Sequence, residues 1–583
     1  AVSVYRVIAP STKKTKFDVT AERGLTPFVG REREIDLLMD AFAMAKAGRG
    51  QAISVVSEAG VGKSRLLYEF RKAVTNEDIT FLEGKCLSYS KGIAYHPVID
   101  ILKSIFNVQE GEENSAIREK VIIGLKSIGS DAVTTLHCLL ELLSVKDSGI
   151  DKSIINPEGK KNLIIEALKR IVFKSSEIRP LVMAIEDLQW MDKGTDELLR
   201  FLLENVTGGR VFIIFTYRQE FIPIWSGKSC HNKVTLNRVT RRESLTMINF
   251  LLGTEDIDVE LQELILDKTE GVPFFIEEFI KSLRELKVID KNKGRYCFTK
   301  KNQDVVIPST IQDVIMARFD LLPEEAKQAL QAASIIGRQF PHDLIKQVIP
   351  FSEKGLISSL NAILDAGLAY KRVVHDDSTY IFKHALIQQV VYDSMLLSKR
   401  KDLHGKIADA IMFSYQKNME DHYEVLAEHF YQNGNYEKSE KFFYLSSEKA
   451  LRSGSLFEAI IHAKKVVDSL ENQIQTNDQQ NRLFDARIRL GSILLDLNYH
   501  SDAMAVVNPI IDIAPQQKFS KNLARLYNIT GSYYALVDEN FSKGLREFKK
   551  SIDISKRNND LITSVMTNFW IGTAYSFNCD FEN

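Results

Sequence analysis

Gln51-Ala52-Ile53-Ser54-Val55-Val56-Ser57-Glu58-Ala59-Gly60-Val61-Gly62-Lys63-Ser64 is an apolar run that breaks into a glycine-bearing loop and leads into the amphipathic stretch Lys63–Val74. It reads as strand, loop and helix. The pattern G-x-x-x-x-G-K-[ST] in that context marks a phosphate-binding loop. Gly62, Lys63 and Ser64 match it, Gly60 is an extra glycine, and Ser57 stands where the first glycine is usual. Glycines let backbone N–H groups turn toward phosphate oxygens with no Cβ in the way, and the following helix offers its positive end. Lys63 is expected to pair with the β- and γ-phosphates of ATP and Ser64 to coordinate Mg²⁺. The loop from Ser57 through Glu58, Ala59, Gly60, Val61, Gly62, Lys63 and Ser64 to Arg65 is thus the expected nucleotide contact. The Cβ of Ser57 predicts a slightly altered turn rather than a lost site.

A second apolar strand, Leu181–Ile185, ends in Glu186-Asp187. A carboxylate at a strand tip beside a phosphate loop can hold Mg²⁺, and a second can orient the attacking water. Glu186 is assigned to the metal and Asp187 to the water, although strand alternation also permits the reverse. A third strand, Val211–Phe215, leads into Thr216-Tyr217-Arg218, whose arginine is either a γ-phosphate sensor or a plain surface residue. His384 reads first as a structural histidine and second as a nucleotide contact.

Strands alternating with helices from Thr26 to about Cys230 imply a parallel, doubly wound α/β sheet. With 583 residues and about 150 per domain, the chain holds several units. Residues 1–24 open with a strand-like piece and a Lys-rich linker. Residues 25–230 are expected to form the P-loop NTPase domain, and 231–305 a helical lid. Residues 306–400 pair helices with a hairpin, Gly367–Val374 and Tyr380–Phe382 around Asp376-Asp377-Ser378, and point to a winged helix. Residues 401–583 are helical and repetitive. Leu490, Gly491, Leu494, Ala503, Val507 and Pro515 fall on tetratricopeptide offsets, where small residues let paired helices pack closely. Gly531, Tyr534, Gly544 and Phe548 repeat the register, as do Ile571, Gly572 and Tyr575, and upstream Ala427, Phe430, Ser439 and Phe443. An ordinary helical bundle is the alternative.

Lys+Arg (76) and Asp+Glu (77) nearly cancel, which disfavours nucleic acid as a partner. The five scattered cysteines never form CxxC, which fits a reducing, cytoplasmic setting. The longest apolar runs are far short of a membrane span. A start at Ala1 and a stop inside a repeat read as a piece of a longer protein.

Phe28-Val29-Gly30-Arg31-Glu32, the P-loop, Glu186 through Asp192, Thr216-Tyr217-Arg218 and Gly271-Val272-Pro273 occur in an order that resembles the signal-transduction ATPases with numerous domains. The resemblance is to the branch with an origin-recognition-like AAA ATPase module. Pro308-Ser309-Thr310-Ile311-Gln312 through Arg318, Ile336-Gly337-Arg338, and His384 through His404 extend it. The resemblance implies that Val29, Gly30, Arg31 and Pro273 lie against the adenine and Arg218 near the γ-phosphate. Val4-Tyr5-Arg6-Val7 and the run Arg23–Glu32 resemble the junction behind a class III adenylate/guanylate cyclase domain, whose catalytic core is absent from this chain.

The expected function is an ATP/ADP switch with slow hydrolysis. The repeats take a protein or small-molecule trigger, and an attached output domain of cyclase type is controlled. A nucleotide-dependent oligomer fits the same scheme. A transcription regulator with a separate DNA-binding domain, and a nucleotide-binding scaffold without turnover, are the alternatives.

Overall fold

The computed structural model describes residues 25–86, 93–109, 112–129, 133–145, 157–225, 228–292, 294–299, 310–374, 377–473, 476–513 and 522–578. The strand-like piece and linker of residues 1–24, with Pro308, Ser309, Asp376, Pro515 and Cys579, lie outside them.

Five parallel strands form the first sheet: β1 (Gln51–Val56), β2 (Thr80–Lys85), β3 (Leu181–Glu186), β4 (Val211–Tyr217) and β5 (His231–Thr235), in the order β2-β3-β4-β1-β5. Strands β3 and β4 are buried at every position, so they read as continuous apolar runs. One face packs beneath helices Glu32–Lys46 and Lys63–Ala73, through Leu38, Phe42, Leu66 and Phe70. The other face packs under the helices inserted between β2 and β3, through Ile101 and Leu168, and under the helix Lys193–Asn205 that follows β3, through Leu199. Because β4 sits between β1 and β3, its last residues separate the phosphate loop from Glu186-Asp187.

The sheet runs five residues past the boundary expected at 230, because β5 pairs with β1. Its sequence, His231-Asn232-Lys233-Val234-Thr235, buries only Val234 and carries no apolar alternation. A second unexpected element is the hairpin β6 (Ile289–Asn292) and β7 (Arg295–Phe298) inside the otherwise helical lid. The lid helices Arg241–Leu252, Val259–Thr269 and Pro273–Glu285 enclose Met247, Ile265, Ile276, Phe279 and Leu283.

Residues 310–393 combine helices with a three-stranded antiparallel sheet of β8 (Gln339–Pro341), β9 (Ala369–Val374) and β10 (Asp377–Phe382). A hairpin stands where one was expected, but Asp377 and Ser378, expected in its turn, pair with Val374 and Val373 as part of β10, and β8 is an additional edge strand pairing Ile381 with Gln339. Arg338, at the start of β8, and Lys383-His384, past the end of β10, therefore emerge at the same end of this sheet. A hydrogen bond from the Phe382 N–H to the Arg338 carbonyl at 3.0 Å secures the arrangement.

From Leu397 onward the described chain is helical, with successive helices packed as antiparallel neighbours. Small residues sit where helices approach. A Cβ on Gly491 would meet Ile529 Cδ1 at 2.9 Å, and one on Gly531 would meet the Phe548 ring at 2.6 Å. Ser439 Oγ donates to the Ala427 carbonyl at 3.3 Å. Substituting Gly531→Val should overpack this crossing and destabilise the repeats by about 1–3 kcal/mol. Urea unfolding followed by fluorescence of the buried Trp570 checks it.

Candidate nucleotide site

The P-loop closes as its glycines require. Gly60 has φ +85° and Gly62 φ +116°, where L side chains are strained. Gly62 is the N-cap of the helix Lys63–Ala73. The Lys63 ammonium donates to the Ser57 carbonyl at 2.9 Å and the Glu58 carbonyl at 3.0 Å, and to Ser57 Oγ at 3.3 Å. Ser57 is buried, and its hydroxyl donates to the Glu58 carbonyl at 3.0 Å. The departure from glycine is thus absorbed inside the loop. Burial lowers the Lys63 pKa, against the opposing pull of Asp187. Nearby Arg218 lowers it too.

Glu186 and Asp187 part ways at the tip of β3. Glu186 turns inward, accepting from Ser64 Oγ at 2.6 Å and pairing with the Lys85 ammonium at 2.6 Å. Burial raises its pKa, but the charge and hydrogen bond of Lys85 and the Ser64 hydroxyl outweigh that and hold it well below the usual carboxylate range. Asp187 adopts a left-handed backbone (φ +61°) and turns its side chain into the cavity. Its N–H donates to Thr216 Oγ1 at 3.1 Å, so the end of β4 sets its direction. Gln189 Nε2 donates to Asp187 Oδ1 at 3.2 Å, while Gln189 Oε1 accepts the Arg218 N–H at 3.2 Å.

A cavity of about 710 Å³ opens over the loop. Among the expected residues, Val29, Arg31, Ala59, Gly60, Val61, Gly62, Lys63, Ser64, Arg65, Asp187, Arg218 and Pro273 line it. Gly30, Ser57, Glu58 and Glu186 lie behind its wall. A Cβ on Gly30 (φ +64°) would strike the Glu243 carboxylate, so that position admits no side chain. Glu58 points outward to Arg238, at 3.0 Å. Arg31 is held by the Asn237 carbonyl and by Glu34 at 3.2 Å. Arg65 donates to the Thr26 carbonyl at 3.2 Å and lies 5.8 Å from the Phe28 ring centroid, tying the 26–28 segment to the loop.

The lid helix Pro273–Glu285 begins against the P-loop, where the Phe274 N–H donates to the Gly60 carbonyl at 3.3 Å. Phe274 also stacks on His384, with centroids 4.1 Å apart. His384 Nδ1 accepts the Leu386 N–H at 3.1 Å, which leaves Nε2 the protonated nitrogen of a neutral ring. Arg338 pairs with Asp187 across the cavity at 3.4 Å, and Lys383 also lines the wall.

Lys85, Gln189, Arg338 and Lys383 join the site without having been singled out individually in the sequence. Gln189 and Arg338 stood in segments already singled out by order alone. Lys85 and Lys383 carry no local signal, because their partners are distant in sequence.

A glycine cradle, a lysine, a hydroxyl beside a carboxylate and a cationic wall at the strand ends of a parallel sheet define a P-loop nucleotide-binding fold. Residues 27–214 match the AAA ATPase domain, and residues 240–296 match a domain of unknown function. The chain therefore carries an AAA ATPase domain with helical elements behind it.

It is similar to an uncharacterised protein of Rhizobium meliloti (strain 1021), 22% identical over 477 residues, covering 80% of this chain and 45% of that one. It is also similar to adenylate cyclase type 10 of Oryctolagus cuniculus, 19% identical over 399 residues, covering 59% of this chain and 24% of the other. The chain thus spans less than half the length of these two relatives. Among solved structures it is similar to a signal transduction ATPase with numerous domains bearing a tetratricopeptide repeat sensor, from Pyrococcus horikoshii. That likeness has TM-score 0.42 and 15% identity, covering 96% of this chain and 76% of that one. No helix among the described residues is long and apolar enough to cross a membrane.

Proposed function

We propose that this chain is the switch portion of a signal-transduction ATPase: it holds ADP in a closed form, exchanges it for ATP on opening, and resets by slow hydrolysis. The observation that carries the reading is the shared wall of the cavity. Arg338, Lys383 and His384, from the unit we read as a winged helix, face the same space as Lys63, Asp187 and Arg218. A nucleotide bound there touches both units, so its departure and their separation are coupled.

The residues fit a nucleotide with Mg²⁺. Ser64 and Glu186 would hold the metal, with Lys85 keeping Glu186 ionised, and the metal would neutralise phosphate charge. Lys63 would exchange its loop carbonyls for phosphate oxygens. Asp187 would orient water once freed from its ion pair with Arg338. Val29, Arg31 and Pro273 would bound the adenine.

The repeats would take the trigger, a protein or small molecule, and pass it to an attached output domain of class III cyclase type. The similarity to adenylate cyclase type 10 supports that choice. A cytoplasmic setting and a nucleotide-dependent oligomer belong to the same proposal.

Arg338→Ala is expected to speed release of a fluorescent ADP analogue by about fivefold, the worth of one partly exposed ion pair, without abolishing binding. Unchanged release kinetics would sink the latch role of Arg338.

A further inference from the structure

Glu458, on the repeat helix Leu456–Glu471, reaches the ATPase domain at Lys193, three residues beyond Trp190 of the cavity wall. Its Oε1 accepts the backbone N–H of Lys193 at 2.8 Å. Lys193 opens the helix Lys193–Asn205, and Asp192 is its N-cap. Asp192 accepts from the Thr195 N–H at 2.8 Å, Thr195 Oγ1 at 2.6 Å and the Tyr95 N–H at 3.0 Å. The segment carrying Asp187 and Gln189 runs directly into this cap. A contact that holds the cap therefore also steadies the carboxylate loop of the nucleotide site.

The two carboxyl groups are buried, with Asp192 3% and Glu458 1% exposed. Burial raises the Asp192 pKa as well, but hydrogen bonds from Thr195 and Tyr95 oppose it, so Asp192 is the better provided for as an anion. Glu458 has the Lys193 N–H and its own backbone N–H, and its Oε2 is buried with no hydrogen-bond partner among the described residues. An ionised oxygen so placed is costly, and a second negative charge beside the first adds to the cost.

The charged groups that act on Glu458 from the ATPase domain are Asp192 and Glu197, both acidic. The Lys193 ammonium is directed elsewhere, 6.0 Å from the Phe457 ring centroid and 3.9 Å from Asp196. Tyr95 lies against the same pair with its hydroxyl held neutral by burial. On its own helix, His462 lies one turn further on and is buried. Burial, and after it the charge of Asp192, push the Glu458 carboxyl up to about 8 from its ordinary 4.5.

We propose that a protonated Glu458 latches the first repeats onto the cap of helix Lys193–Asn205, and that loss of this proton releases the repeats and frees the carboxylate loop. The second half rests on the nucleotide-switch reading above; the first does not. The sign follows from linkage. The docked state binds the proton more tightly than the undocked one, so docking is strongest at low pH. It weakens as pH rises from 4.5 toward about 8, and levels off above. Within that window the undocking equilibrium changes by at most about tenfold per pH unit.

The test uses the full chain, with hydrogen–deuterium exchange at Lys193–Thr195, corrected for chemical exchange, from about pH 6 to pH 8. Release of a fluorescent ADP analogue is measured in parallel. Protection in the wild type should fall across the range by up to about tenfold per unit. Glu458→Gln, which keeps the acceptor and removes the ionisation, should hold its protection flat. Glu458→Ala should show low protection throughout, with thermal melts verifying that both variants fold. Equal slopes in wild type and Glu458→Gln would overturn the proton assignment. Full protection in Glu458→Ala would overturn the contact itself. A pH slope in exchange with none in ADP release would overturn the coupling to the nucleotide site. Failure of the wild type to hold ADP would count against the switch reading, while exchange still decides the latch.

Discussion

Lys63→Ala is expected to weaken binding of both ATP and ADP by at least about thirtyfold, as removal of one partner of a partly buried charge pair does. In the closed loop the ammonium spans the Ser57 and Glu58 carbonyls, at 2.9 and 3.0 Å. It is a strut that shapes the loop and, in the proposed site, also the cation that would meet phosphate. The variant loses both roles, and the Glu186, Asp187 and Glu220 carboxylates around it lose a counter-charge. Isothermal titration calorimetry with each nucleotide measures the effect. Lys63 lies on the first turn of an otherwise intact helix, so the melting temperature should change little. Binding within a fewfold of wild type would mean that the site assignment is wrong.

Burial also predicts how binding depends on pH. Because desolvation lowers the Lys63 pKa, its charge is lost at a lower pH than that of a free lysine. The phosphates stay fully ionised there, so affinity should fall at a lower alkaline pH than an ordinary lysine would require.

What could be read from the sequence was local. Gln51–Val56, the glycine loop and Lys63–Ala73 declare themselves because strand periodicity, positive-φ glycines and a helix start are adjacent. Arg241–Leu252 and Val259–Thr269 stand inside the span expected to be helical, the first opened by a capping box from Thr240 and Glu243 and closed by Gly253. Strand β5 was not legible, because an edge strand needs only one buried side chain and His231-Asn232-Lys233 looks like a polar loop. The β6–β7 hairpin was hidden for the same reason, with Asp290, Lys291 and Asn292 on its first strand.

At the site, the adjacent pair Glu186-Asp187 was visible and assigned in one order with the reverse left open, but the parting of the two side chains was not visible. That depends on the left-handed turn at Asp187 and on Thr216 from another strand. The Arg338–Asp187 pair joins residues 151 positions apart, and Lys193–Glu458 residues 265 apart. Such contacts are made by the packing of whole units, and no local pattern encodes them.

Arg318→Met is expected to destabilise the lid and the unit behind it by about 3–5 kcal/mol, the cost of leaving a buried carboxylate without its partner. Arg318 is 1% exposed and pairs with Glu278, itself fully buried, and with Glu285 at 3.0 Å. Burial lowers its pKa to about 10, so it remains cationic at neutral pH. It also donates to the Ala366 carbonyl, which accepts from the Lys281 ammonium at 2.7 Å. Gly367 follows with φ +64°, and a Cβ there would lie 2.2 Å from that ammonium. Lys383 completes the network, donating to Glu278 Oε1 at 2.6 Å.

Without Arg318, Glu278 keeps only Lys383, so of the four ion pairs that the described residues form between the second unit and the helix Pro273–Glu285 two remain, from Lys383 to Glu278 at 2.6 Å and to Glu277 at 3.6 Å. Because Lys383 precedes His384 in the cavity wall, loosening it should also speed ADP release. The double variant Arg318→Met, Glu278→Gln removes the uncompensated charge and should recover part of the lost stability. Thermal and urea unfolding of the two variants separate the cost of the orphaned charge from the cost of lost packing. A single-variant loss below about 1 kcal/mol, or no recovery in the double variant, would show that the buried charges do not hold the two units together.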